Sequence, residues 1–254
     1  FSIEMSNEIV MMRAASNAAR VHLGELMQAK LQPEEWDRLG SLGKNLSVET
    51  PEICETPIIR LSDIRNHCRI VERTKPVSVV VIDYLQLLTH EGDNKGDTEA
   101  LKVGRLAKGL AAIAKDFNCG VIALSQLNRA SETRNDKHPT LSDLRESGTI
   151  EAAADVVLGL TKSSSFTPDV KIGDYEIVDV DVLKQRNGRL GRMHFRFEGQ
   201  YMTFSDCDQA DYDQLENKRS PKPAAKKKPE PALNEPKSEG RFANLDVDEM
   251  MEGY

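Results

Sequence analysis

No apolar run in the 254 residues approaches the ~20 needed to cross a bilayer, and no signal-peptide pattern is visible, so the expectation is a soluble protein. Four cysteines (Cys54, Cys68, Cys119, Cys207) share no CxxC spacing and the five histidines are scattered. Neither a disulfide framework nor a zinc site is expected, which suits a reducing cytosol. A basic excess is also missing, since the net charge is −7. That deficit is local. Residues 206–216 carry five acids and no base, residues 218–228 six bases and no acid, and residues 229–254 seven acids against two bases, while the body up to Ser205 is nearly balanced. The overall sign therefore does not exclude a nucleic-acid partner. The chain starts on Phe1 and not on Met, inside a strand-like FSIE, so the expectation is a piece whose upstream portion is missing.

What is present points to an α/β body followed by a tail. In residues 77–88, VSVVVIDYLQLL, four β-branched residues (Val79, Val80, Val81, Ile82) leave no polar face. They read as a parallel strand covered on both sides that ends on Asp83. Ligands of open α/β sheets sit beyond such strand ends, and an acid there is placed to hold Mg²⁺ on a nucleotide, although an Asp also caps or pairs there without any ligand. Ser6 heads a helix from about Asn7 to beyond Arg20 with Ile9, Val10, Met11 and Met12 on its core side, and Pro33 opens a short helix through Trp36 and Leu39. Pro51 and Pro57 punctuate a loop. Ser62 and Asp63 start a helix through Ile64, Cys68 and Val71, and Thr98 starts another with Leu101, Leu106, Leu110 and Ile113 at helical spacing up to Phe117.

A second short apolar strand, residues 120–125, ends at Gln126. Residues 126–139 are charged and aperiodic and read as a long loop, followed by a short helix near 141–145 and a strand at 153–160. Alternation in 176–183, then 193–197 and 201–204, linked by RNGRLG and EGQ, marks an antiparallel extension. Beyond Ser205, five prolines among lysines and alanines cannot bury enough apolar surface to offset chain entropy. The reading is therefore a body, 1–205, and a disordered tail, 206–254, whose last residues FANLDVDEMMEGY are either a solvated terminus or a peptide that folds on a partner.

Three strand ends converge on one chemistry. Glu4, Asp83 and Gln126 each close an apparent parallel strand, and triphosphate hydrolysis needs an acid for the metal, a carboxylate for the attacking water and an amide near the γ-phosphate. Taken singly, Glu4 also serves as a helix cap and Gln126 as a loop start.

FSIEMS, VVVIDYLQLL, ALSQLNRASETRNDKHPTLSDLRESGTIEAAADVV and KQRNGRLG together resemble, in order, the motifs of the C-terminal RecA-like domain of DnaB-type replicative DNA helicases, over about residues 1–204. The resemblance implies a RecA-like P-loop NTPase core, mostly parallel with an antiparallel C-terminal extension, in a homo-hexameric ring that hydrolyses ATP with Mg²⁺ at subunit interfaces and moves along single-stranded DNA. By motif, it implies Glu4 as the carboxylate polarising water, Asp83 as the Mg²⁺-associated Walker B acid and Gln126 as the link from γ-phosphate to the DNA loops. Arg13 matches an arginine near the nucleotide, although from the residues alone it reads first as a surface arginine on a helix, and Lys184 and Arg186 match a basic pair inserted toward a neighbour's γ-phosphate. An exposed basic hairpin around Asn187-Gly188 accounts for that pair equally well.

Arg145, Glu146 and Gly148 match the DNA-contact segment. Arg145 supplies a phosphate partner and Gly148 permits close backbone approach, so the segment reads phosphates and not base identity; residues 126–148 contain no Phe, Tyr or Trp on which bases stack, so an OB-like mode is not expected. Arg129, Arg134 and Lys137 add charge nearby, or are solvated loop charges, the default for exposed bases. Primase and a helicase loader are the partners the resemblance implies. Two departures stand out: the Gly-rich GxxxxGK[ST] loop expected before FSIEMS is not among these residues, so this piece alone is expected not to turn over ATP, and Ala152, Ala153 and Ala154 stand where polar residues are more usual. Competing readings are a RecA- or RadA-like recombination ATPase and a non-catalytic module that binds DNA or partner subunits.

Overall fold

The computed structural model describes residues 1–45, 51–55, 59–94, 96–128, 134, 136–144, 147–162, 174–208, 210, 211 and 213. Helix α1 (Asn7–Ala19) starts after Ser6 as expected, but the Ser6 hydroxyl makes no capping bond. It hydrogen-bonds Glu8, whose carboxyl it holds below the ordinary range, while the Asn7 N–H donates to Glu55 Oε2 at 2.5 Å. The helix stops at Ala19, short of the expected end beyond Arg20, because Arg20 turns left-handed (φ 53°). Its core side is also not the expected one: Ile9 and Met12 are exposed, and the buried residues are Ser16 and Ala19. Ala19 joins Val21 and Leu31 in a small cluster with Leu39 and Leu42, which are contributed by α3 (Pro33–Asn45) after the short α2 (Leu23–Met27).

The larger core lies under the parallel strands. Strand β1 (Ile59–Arg60) leads directly into α4 (Leu61–Glu72), where the Asp63 carboxylate accepts the Arg60 N–H at 2.9 Å and so fixes the first turn. Strands β2 (Val79–Ile82) and β3 (Leu88–Thr89) precede α5 (Glu99–Asp116), whose Thr98 Oγ accepts the Leu101 N–H, and β4 (Gly120–Ala123) follows. Ile64, Ile82, Leu106 and Ile113 are almost fully buried where α4 and α5 meet the strands, at about 1.5–3 kcal/mol each.

Two two-stranded parallel ladders result, β1–β3 and β2–β4, and the larger sheet is antiparallel, in the order β5–β6–β7–β8 (Val156–Lys162, Glu176–Gln185, Gly191–Glu198, Thr203–Asp206). Among the described residues β2 is covered on one face only: Val80 and Ile82 are buried, whereas Val79 and Val81 are about half exposed. The two-sided burial read from the β-branched run is therefore corrected to one side. The expected helix near 141–145 is a single 3₁₀ turn, Leu141–Asp143, and an unexpected helix α6 (Ser147–Ala153) precedes β5. Order continues past Ser205, since Asp206 ends β8 and Asp211 is bonded by Tyr175 Oη and the Arg196 guanidinium. The rest of the expected tail lies outside the described residues.

Candidate functional site

Residues 1–3 run beside β2 in parallel. The Phe1 nitrogen donates to Val81 O (2.8 Å), Asp83 N–H to Phe1 O (3.0 Å) and Ile3 N–H to Asp83 O (3.1 Å). On the other side β2 pairs with β4 in the register Val79↔Gly120 through Ile82↔Ala123, and Leu124 N–H extends the ladder to Ile82 O. Three parallel segments therefore stand in the order 1–3, β2, β4. Parallel strands share one carboxyl edge, so Glu4, Asp83 and Gln126 emerge along the same rim. Glu4 and Gln126 are exposed and Asp83 is partly so. The Ser2 hydroxyl bonds Met5 O at 2.6 Å, which closes a bend around Glu4.

Gln86 is a part of this rim that the sequence did not single out. Its Nε2 donates to Ser125 Oγ (2.9 Å), and its Oε1 accepts the Gln126 N–H (3.3 Å), which fixes the end of β4 against the turn after Asp83. The available signal was its polar side chain within an otherwise apolar YLQLL. From Gln126 the chain goes straight into a closed loop base. Leu127 bridges Leu144 antiparallel, and Asn128 N–H donates to Asp143 O at 2.8 Å. The rim and the segment before Gly148 are thus joined by backbone bonds.

A second cluster forms at the carboxyl end of α6. A β-bulge leaves Leu183 unpaired between the Val157↔Lys184 and Leu158↔Val182 pairs. Lys184 Nζ donates to the carbonyls of Glu151 and Ala154, and Arg186 donates to Ala152 O at 2.9 Å and pairs with Asp155 at 2.7 Å. These are the carbonyls a helix end leaves without partners, and they carry the negative end of its dipole. Lys184 and Arg186 therefore lie together, but neither bonds Glu4, Asp83 or Gln126 within the chain. Gly148 is the second residue of α6. It is exposed, and a Cβ there would meet nothing within 4 Å, so packing in this chain does not require glycine.

Other expected residues fall elsewhere. Arg13 is exposed on α1 and forms no ion pair among the described residues. Arg134 is not a spare positive charge, because its guanidinium pairs with the buried Asp143 at 2.5 Å and donates to His138 O. Arg129, Arg145 and Glu146 lie outside the described residues. No cluster of three His, Cys, Asp or Glu side chains suited to a metal is found among the described residues. Mg²⁺ bound through a nucleotide needs only one or two carboxylates, since phosphates and water complete its shell, and Asp83 with Glu4 is a donor set of that kind.

Comparison with known proteins bears on this geometry. The model of the family described as "DnaB-like helicase C terminal domain" matches residues 1–206. The replicative DNA helicase DnaB of Geobacillus stearothermophilus is 36% identical over 208 residues, covering 82% of this chain and 45% of the relative. That of Rickettsia typhi is 35% identical over 232 residues, covering 85% and 46%. The chain thus spans about half the length of the curated relatives it matches. Among solved structures, one described as a DnaB-like replicative helicase and its interactions with primase superposes with a TM-score of 0.74 at 29% identity, covering 82% of this chain and 51% of that one. The ATPase domain of G40P also gives 0.74 at 29%, covering 82% and 73%.

Proposed function

Because the chain belongs to the DnaB-like helicase C-terminal domain family, we propose that it is the motor portion of a replicative 5′–3′ DNA helicase. In this reading it is a RecA-like core that couples ATP hydrolysis at the subunit interfaces of a homo-hexameric ring to movement along single-stranded DNA and duplex unwinding. The observation that carries the proposal is the shared rim of Glu4, Asp83 and Gln126, built from three parallel segments far apart in sequence.

Asp83 would hold Mg²⁺ on the ATP phosphates, and Glu4, at the turn fixed by Ser2, would orient and polarise the attacking water. Cradling the phosphates requires a Gly-rich loop that the 254 residues do not contain. Gln126 is suited to report the state of the γ-phosphate, since its backbone continues into the Leu127–Leu144 bridge and so toward the DNA segment of Arg145, Glu146 and Gly148. The packing-free Gly148 supports close approach by a phosphate from outside. Arg13 is assigned to the vicinity of the nucleotide. Lys184 and Arg186 reach no triphosphate rim of their own chain, which fits a role in trans on a neighbour's γ-phosphate. Primase and a loader are proposed partners of the whole protein. The proposed location is cytoplasmic, and no described helix is long and apolar enough to cross a membrane.

Glu4→Gln in the full-length helicase tests the reading. The variant is expected to bind ATP and single-stranded DNA as the parent does and to lose hydrolysis by a factor of at least about 10², the usual contribution of a positioned base. Normal turnover would remove Glu4 from the mechanism.

A further inference from the structure

Strand alternation alone would put Asp179 and Asp181 of β6 on a solvent face, since they alternate with Val178 and Val180. Both are buried, Asp179 completely. Their cross-strand partners lie on the same face: His194 Nδ1 is 2.8 Å from Asp179, and Arg192 Nε donates to Asp181 at 2.5 Å. On the β5 side, the residue opposite Asp181 is Gly159.

His138 and Pro139 cover this face. His138 inserts its imidazole between the two acids, with Nδ1 3.1 Å from Asp181 and Nε2 3.8 Å from Asp179, and only 13% of its side chain is exposed. The next residue, Pro139, packs on Gly159 so closely that a Cβ on the glycine would lie 2.8 Å from the Pro139 Cβ. Immediately beyond, the buried Asp143 accepts bonds from Thr140 N–H and Oγ1 and from Arg134. Burial raises the pKa of this carboxyl, but the bonds from Thr140 and Arg134 together outweigh that and hold it below the usual range.

Two acids taken out of water need bonded partners, or they cost several kcal/mol. A sheet face that buries Asp179 and Asp181 under a loop is therefore specific for the side chain that answers them. We propose that His138 is a positioning residue: with Pro139 seated on Gly159, it clasps the loop to the antiparallel sheet and so sets where the segment leading to Gly148 is presented to single-stranded DNA. The clasp is the outer of two attachments, the inner being the Leu127–Leu144 base next to Gln126. With both made, residues 141–144, which lead to the DNA segment, are held in place before DNA arrives; with the outer one lost, their placement must be supplied on binding. This inference rests on the DNA reading of that segment.

The test uses the full-length helicase, a fluorescein-labelled oligothymidylate titrated across a range of KCl concentrations, and amide hydrogen exchange. His138→Ala is expected to weaken binding about tenfold at every salt concentration, as loss of pre-ordering does. The slope of log Kd against log salt should be unchanged, because no phosphate contact is removed. Affinity for MgADP should also be unchanged, and the amides of Asp143 and Leu144 should exchange faster. Gly159→Ala keeps every charge and displaces Pro139 from the opposite side, and it should reproduce the effect. His138→Asn, which retains a donor near the Nδ1 position, should restore most of the affinity. Unchanged binding in both disruptive variants overturns the proposal, as does a shallower salt slope, which would make this region a direct phosphate contact. Arg145→Ala separates the two failures. If it binds DNA normally, the DNA reading falls and the positioning role with it; if it weakens binding while His138→Ala does not, only the positioning role is overturned.

Discussion

The Arg186 guanidinium lies 2.7 Å from the Asp155 carboxylate, and the backbone N–H of Arg186 donates to Asp155 O at 3.0 Å. Both side chains are more than half exposed, so the pair adds at most about 1 kcal/mol to stability. Its consequence is direction. Together with the bond to Ala152 O it fixes the guanidinium on the end of α6, beside Lys184, which is held by two further carbonyls of the same helix end. Since Gly148 lies in the first turn of α6 and this basic pair binds its carboxyl end, a displacement of the helix would carry the arginine with it.

In the full-length helicase, Arg186→Ala is expected to lower DNA-stimulated ATP turnover by about 10³ or more, the range in which trans arginines act. If Arg186 acts in trans as proposed, mixed rings should lose activity faster than the fraction of variant subunits, because each variant would disable its neighbour's nucleotide. Activity strictly proportional to the parent fraction would argue against a role in trans. Asp155→Asn should give a smaller loss, and none beyond that of Arg186→Ala when the two are combined, because residues acting through one group are not additive.

How much of this was legible in the sequence differs from residue to residue. Asp83 was readable because a run of β-branched residues ends on it, and Thr98 because a hydroxyl precedes an apolar repeat of helical period. The hairpin between β6 and β7 was announced by Asn187-Gly188. The basic character of Arg134 misled, because ion pairing with Asp143 is decided by a contact that spacing does not reveal. Helix α6 is seven residues long and begins Ser-Gly-Thr, weak helix formers, so tertiary packing and not local propensity makes it. The core side of α1 was misread for a related reason: the helix is anchored by small residues, Ser16 and Ala19, which no hydrophobic pattern marks.

Gly109 tests the packing of the core. A Cβ at this position of α5 would lie 2.2 Å from Leu61 Cδ1, where α4 begins, and Leu61 is itself buried. Alanine gains about 1 kcal/mol over glycine in a helix interior, but overpacking a closed core costs about 1–3 kcal/mol. Gly109→Ala should therefore lower stability by about 1 kcal/mol, seen as a lower urea midpoint at unchanged m-value. Adding Leu61→Val, which removes the obstructing methyl, should recover more than the sum of the single changes. A stabilised Gly109→Ala would mean the two helices separate more easily than the buried Leu61 implies.

The acid response of α4 follows from Glu91. The Ser62 hydroxyl, with the backbone N–H groups of Glu91 and Ser62, lowers the Glu91 carboxyl from its ordinary 4.5 to about 2, and the Ser62 N–H lies 2.9 Å from Glu91 Oε1 at the positive end of the helix. A carboxylate with a depressed folded-state pKa contributes stability that is fully present above the ordinary value and is lost as pH falls through 4.5 toward about 2. Glu91 is exposed, so the effect is screened and should shrink further as salt is added. The parent should be more stable than Glu91→Gln at pH 6, and their urea midpoints should converge as the pH approaches 2. A gap that stays constant across that interval would show that the ionised carboxylate does not stabilise the start of α4.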